Sequence, residues 1–310
     1  MPPSSRPLWP GLLLAVLGAI GFSGKAIIVK LAYRYGVDAV TLLMWRMLLA
    51  LPFFLALAWW AGRGKPALTR KDWRDIAVLG FTGYYLASYL DFAGLAYITA
   101  SLERLILYLN PTLVLLISVV FFHHKLQARQ VLAMAVSYAG VVAVFAHELS
   151  FEGANTAIGA ALVFGSAISY AIYLALSGKV VQRLGALRLT GLASSVACAL
   201  CIAQFVVLKP LSAAAVPEPV LWLSLLNSTA CTVAPVLMVM LAIARIGAPL
   251  SSQVGMVGPM STILMGYFIL GEPMNAWIAL GTVLVLVGVF LVSAHRGSRA
   301  ATVSSPARDT

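Results

Sequence analysis

Residues 100–122 read ASLERLILYLNPTLVLLISVVFF and residues 248–270 read APLSSQVGMVGPMSTILMGYFIL. Each run has the length of a bilayer-spanning helix, which needs about 20 apolar residues, and each carries a proline at the same place, Pro111 and Pro259. Shifting the chain by 148 residues also brings Ala100 onto Ala248, Gly140 onto Gly288 and Gly11 onto Gly159 without an insertion. Between Ala96 and Val144, eleven of 49 positions are then identical. The chain therefore reads as a duplication.

Hydrophobic residues make up 61% of the 310 and charged residues only 10%, whereas a soluble domain carries roughly a quarter charged. Apolar segments recur from end to end, near Trp9–Leu31, Ala39–Ala61, Asp75–Tyr97, Leu102–Phe122, Ala128–Ala146, Ile158–Val181, Leu187–Leu208, Val220–Ile243, Leu250–Leu270 and Asn275–His295. The expected fold is an all-α membrane protein of ten transmembrane helices in two five-helix repeats, residues 1–147 and 148–296. A Ser/Ala-rich cytoplasmic tail, 297–310, is expected to be disordered. The run after Arg6 is too long for a secretory signal and is kept as a helix.

The net charge of +11 would suggest nucleic acid in a soluble protein, but the basic residues sit in short loops between apolar runs, so no nucleic-acid partner is expected. They report orientation instead. With the N-terminus inside, fifteen Lys and Arg fall on the cytoplasmic side, among them Arg63, Lys65, Arg70, Lys71 and Arg74, against Lys30, Arg34 and Lys209 outside. Positive residues collect on the cytoplasmic side, so both termini are expected there, in a bacterial-type inner membrane with lipid as the surrounding partner. Five spans per half then makes the second repeat inverted relative to the first, a plan common among secondary transporters.

The two proline helices, followed by Phe-Phe-His-His-Lys-Leu in one half and Ile269-Leu270-Gly271-Glu272-Pro273 in the other, with Gly281 and Gly288 beyond, resemble the EamA family of the drug/metabolite transporter superfamily. Tyr108-Leu109-Asn110-Pro111 looks closest to the YddG-type aromatic amino-acid exporters. The resemblance implies ten helices around a central polar cavity and export of amino acids or related metabolites. Asn110 stands where that subgroup can carry an aromatic, and His123-His124-Lys125 replaces Gly-Glu-Pro in the first half.

Ionisable residues inside spans are costly and mark functional positions. Lys25, Arg46, Asp91, Glu103 and Arg104 are the candidates. Arg46 has an alternative reading as a snorkelling end residue, and Glu103 with Arg104 as an interfacial pair. Lys25 follows Gly18 and Gly21 on the small-residue face of its helix, where it would meet a substrate carboxylate or neutralise Asp91 or Glu103. Polar stripes run along four helices: Tyr84, Ser88 and Asp91; Glu103 and Asn110 with Tyr108 beside them; Ser166, Ser169, Tyr170, Tyr173 and Ser177; and Asn227, Ser228 and Thr232. One reading makes them hydrogen-bond glue between helices, at about 0.6 kcal/mol per contact. The other, adopted for the substrate site, takes Tyr84, Ser88, Tyr108, Asn110, Tyr170, Tyr173, Ser228 and Thr232, with Lys25 and Asp91 as charged neighbours. Pro111 and Pro259 are expected as hinges that free main-chain carbonyls near Tyr108 and Val257.

Cys198, Cys201 and Cys231 all lie in apolar runs and read as reduced packing residues, so no metal and no cofactor is expected. Phosphate-cradling loops and His-Glu-x-x-His or Gly-x-Ser-x-Gly motifs are missing from the sequence, which argues against an ATP-driven pump or a hydrolase. The leading reading is a non-enzymatic carrier of a small metabolite, foremost an amino acid, by alternating access. Its rival is an intramembrane enzyme or lipid-handling protein that uses Lys25, Asp91 and Glu103; a channel is a third.

Overall fold

The computed structural model describes residues 8–122, 127–152, 154–246, 251, 254–255 and 257–303, and these contain helices and connecting turns without a strand. The helices are α1 (Trp9–Tyr33), α2 (Ala39–Gly62), α3 (Arg70–Leu79), α4 (Ala87–Leu95), α5 (Ala100–Leu107), α6 (Asn110–Phe122), α7 (Ala128–Glu152), α8 (Ala154–Leu184), α9 (Ala186–Leu208), α10 (Glu218–Ser228), α11 (Ala234–Ile246), α12 (Val257–Met265) and α13 (Ala276–Val303). π-helical turns at Gly80–Leu86 and Thr229–Val233 join α3 to α4 and α10 to α11, and a third, Gly266–Leu270, extends α12. Among the described residues, seven segments are long and apolar enough to cross a membrane, and Val257–Leu270 and Ala276–Leu291 form shorter apolar helices. Segment 297–303, where no order is expected from composition, continues α13; His123, His124 and Lys125 lie outside the described residues.

The duplication is visible in the packing. Helix α1 lies against α11 and α12, while α8, its counterpart in the second repeat, lies against α4 and α6, the counterparts of α11 and α12. A Cβ at Gly159 would strike Tyr97 and Ile98; one at Gly11 would strike Arg245 and Ile246, the same two positions one repeat on. Helices α7 and α13 cross where Gly140 and Gly281 meet, and a Cβ on either would fall 2.7 Å from the other's carbonyl oxygen. Small residues let helix backbones approach this closely, which is how van der Waals packing binds helices when lipid removes the hydrophobic drive.

Both prolines sit elsewhere than the mid-helix kinks expected of them. The chain breaks after Leu107, and Pro111 lies in the first turn of α6; Pro259 lies in the first turn of α12. The first turn tolerates proline because its amide has no helical partner to lose. Neither proline can donate to the carbonyl four residues before it: Leu107 O is left without a main-chain amide, whereas Gly255 O still accepts from the Gly258 amide at 3.0 Å, and a side chain bonds each of the two. Asn110 Nδ2 donates to Leu107 O at 2.7 Å, and Tyr108 Oη donates to Gly255 O at 2.6 Å. The carbonyl expected to be freed near Tyr108 is Leu107 O, which Asn110 satisfies; the one near Val257 is not freed, because Gly255 O keeps the Gly258 amide and adds the Tyr108 hydroxyl.

Candidate functional site

One end of the bundle holds a layer of buried charge. Lys25 of α1 donates from Nζ to Asp91 Oδ2 of α4 and lies 3.4 Å from Glu103 Oε1 of α5. Glu103 is fully buried, and Asp91 is 2% exposed. Arg104 of α5 donates to the Thr262 hydroxyl of α12 at 2.9 Å and to Phe22 O at 3.0 Å. Arg46 of α2 donates through Nε to Thr232 Oγ1 at 3.0 Å, and its guanidinium lies over the Phe92 ring. At a rise of 1.5 Å per residue, Lys25, Arg46, Asp91 and Glu103 all fall within about 12 Å of the helix ends at Tyr33, Ala39, Leu95 and Ala100.

Burial overturns two of the bland readings. Arg46 is 6% exposed and Arg104 9%, so neither snorkels to an interface, and Glu103 is an interior carboxylate rather than half of a surface pair. Lys25 pairs with both Asp91 and Glu103, one cation between two acids. Water cannot reach the two carboxylates at that depth, so the partly exposed Lys25 ammonium and hydrogen bonds must stabilise them.

A second polar cluster lies deeper, about 10 Å along the α3–α4 rod from Asp91. The Tyr84 and Tyr173 hydroxyls stand 3.2 Å apart, Tyr173 stacks on Tyr170 at 5.5 Å between ring centroids, and Thr190 and Ser194 of α9 are buried. Tyr173 and Lys25 are repeat-equivalent positions, 148 residues apart, as are Thr232 and Tyr84, and Ser194 and Arg46. The two clusters are therefore one site of the fold written twice, charged in one copy and neutral in the other.

The expected site residues consequently divide. Tyr84, Tyr170 and Tyr173 form the neutral cluster; Lys25, Asp91 and Thr232 belong to the charged one. Ser228 donates to its own helix at Leu225 O, 2.9 Å, and Ser88 is half-buried on the face between the clusters. Tyr108 and Asn110 serve the two proline breaks. Ser23 Oγ donates to Gly258 O at 2.8 Å beside Tyr108, so α1, α5 and α12 meet there.

The structure also assigns Glu272 a role that the sequence did not single out. Its carboxylate accepts from the amides of Ala100 at 2.7 Å and Ser101 at 3.3 Å, and from Ser101 Oγ at 3.0 Å. It therefore occupies the positive end of α5 from the opposite repeat. Gly271 supplies the left-handed turn, φ 74°, that ends the preceding helix and lets the chain reach across. Arg34 Nη2 to Leu270 O at 2.8 Å and Lys30 Nζ to Ile98 O at 2.7 Å tie α1 to the same corner. At the other end, Arg183 of α8 bridges Asp72 and Asp75 of α3 at 2.7 and 2.9 Å. The Thr69 hydroxyl and amide, with Arg183 beside them, hold Asp72 below the ordinary carboxylate range.

The duplication is matched in a comparison with known families. The model of the EamA-like transporter family fits residues 9–146 and fits again at 157–294. The chain belongs to that family. Each EamA match spans one repeat. Among similar proteins, the uncharacterized transporter YcbK of Bacillus subtilis is 28% identical over 275 residues, covering 84% of this chain and 86% of YcbK. An uncharacterized transporter of Archaeoglobus fulgidus is 24% identical over 293 residues, covering 92% and 97%. A solved crystal structure matches with a TM-score of 0.60 at 16% identity, covering 95% of this chain and 99% of the other, a likeness of fold. These EamA relatives make the chain an integral-membrane transporter with a small-molecule cargo, and Cys198, Cys201 and Cys231 are free and buried as expected of packing residues.

Proposed function

We propose that this transporter moves amino acids or closely related metabolites out of the cell by alternating access, through ten transmembrane helices arranged as two inverted repeats, residues 1–147 and 148–296. The observation that carries the reading is the pair of repeat-equivalent clusters, the charged one toward one end of the bundle and the neutral one about 10 Å deeper. Opening one end and then the other would expose them in turn around a shared centre. The neutral tyrosines offer aromatic faces to an apolar side chain, and the charged cluster offers partners to its polar ends. Tyr84, Ser88, Tyr170, Tyr173, Ser228 and Thr232 are proposed to line the path, with Lys25 and Asp91 beside it, and Tyr108 and Asn110 at the proline breaks, Pro111 and Pro259, where the helices are proposed to bend.

Counterflow in proteoliposomes with a labelled amino-acid panel tests this. Wild type should exchange at least one member, and Tyr170→Ala should change its preference among side chains by about tenfold, the loss of one aromatic contact. Exchange of sugars or nucleotides with no amino acid moved would reject the cargo class.

Both termini are proposed to face the cytoplasm of a bacterial-type inner membrane, on the Lys/Arg asymmetry. A single cysteine placed at Ser305 in a background lacking native cysteines should resist impermeant maleimide in intact cells and react after permeabilisation. Labelling in intact cells would reverse the topology.

A further inference from the structure

The charged layer is not balanced. It holds three cations, Lys25, Arg46 and Arg104, and two anions, Asp91 and Glu103, and Lys25 takes both anions within ion-pair distance. Arg46 has a hydroxyl and a ring as partners, and its buried Nη1 has no hydrogen-bond partner. Thr232 links this guanidinium to α10, because the hydroxyl that accepts from Arg46 donates in turn to Asn227 O at 2.8 Å. Asn227 is itself fully buried, with neither Nδ2 nor Oδ1 bonded. Buried polar groups are almost always paired, since leaving one dry and unbonded costs most of its hydration. Arg46 and the main chain of Asn227 meet on one threonine, and each residue keeps a buried side-chain N–H donor without an acceptor.

The fold does not require the arginine. Its repeat-equivalent position holds Ser194, buried in the same setting on α9. We infer that Arg46 and Asn227 form a carboxylate-binding subsite, in which the cargo's carboxylate accepts from Arg46 Nη1 and Asn227 Nδ2 and supplies the missing negative charge. A planar guanidinium suits a planar carboxylate, and a charge-assisted bond in a dry site discriminates strongly against a cargo that lacks it. The inference rests on the transporter reading above and adds the chemical group by which cargo is held.

The test uses the purified full chain in detergent, titrated with L-phenylalanine, L-leucine and L-glutamine and with phenethylamine and isopentylamine, the decarboxylated forms of the first two, and read by thermal shift. Arg46→Gln should weaken binding of the amino acids by about 10- to 100-fold, the loss of one charge-assisted hydrogen bond, and leave the amines unchanged. Arg46→Lys should restore part of it. Asn227→Leu separates binding from folding: removing an unbonded buried amide should leave the melting midpoint equal or higher while amino-acid affinity falls about tenfold. Equal losses for amino acids and amines, or a wild type that binds no carboxylate of the panel, would overturn the subsite. In the latter case, counterflow of a neutral or cationic solute would still uphold the transporter.

Discussion

Lys25→Met should be among the most damaging single substitutions in this protein, costing about 3–5 kcal/mol, because it strips the partly exposed cation from two buried carboxylates that have no other counter-ion at ion-pair distance among the described residues. Three of their four oxygens, Asp91 Oδ1 and both oxygens of Glu103, already lack hydrogen bonds. With the ammonium gone, the remaining negative charge must be protonated, hydrated or expelled. The expected result is a steep fall in thermal midpoint and in the folded fraction recovered from membranes. Adding Asp91→Asn and Glu103→Gln to Lys25→Met should return most of that stability, since neutral groups of the same shape need no counter-ion. If the single substitution melted like wild type, the triad would be held by surrounding packing and its charges would contribute little. If the triple variant folded but did not transport, the charges would matter for moving cargo beyond their part in folding.

Glu272→Ala should cost about 2 kcal/mol, at the upper end for loss of a helix cap, because one carboxylate serves two amides and a hydroxyl at the start of α5. Glu272→Gln keeps the shape and one acceptor oxygen but gives up the interaction of negative charge with the helix dipole, worth about 0.3–1 kcal/mol. The expected order of thermal midpoints is therefore wild type, Glu272→Gln, Glu272→Ala. Ser101→Ala, which removes only the hydroxyl contact, should fall close to wild type. Equal midpoints for all four proteins would mean that the cross-repeat cap is not formed in the membrane protein, and the link between the Gly-Glu-Pro turn and α5 would have to be abandoned. Because α5 carries Glu103 and Arg104 one turn beyond this cap, a loosened cap should also lower the transport rate.

Much of the molecule is legible without coordinates. Apolar runs of membrane length are dictated by the absence of water in a bilayer, which forces every main-chain polar group into helical bonds. The 148-residue repeat follows from identities such as Pro111 with Pro259 and Gly140 with Gly288. The cost of intramembrane charge marks Lys25, Asp91 and Glu103 as a set before any contact is seen. Cysteines in apolar runs read correctly as packing for the same reason.

Tertiary structure decided the rest, because the partners lie far apart in sequence. Arg46 is near a helix end by position, and only packing against Phe92 and Thr232 makes it interior, 186 residues from its hydroxyl partner. Glu272 stands in the sequence as one member of the Gly-Glu-Pro stretch, with no partner named, until the fold carries it to the amides of Ala100 and Ser101, 172 and 171 residues away. Helical periodicity shows which residues share a face but not which face meets which, so the stripes containing Tyr84, Tyr108 and Thr232 look alike in sequence. Helix packing divides them among a tyrosine cluster, a proline break and a buried guanidinium. Periodicity is a local property of one helix, whereas a binding site is set by the distances between helices that chain order does not encode.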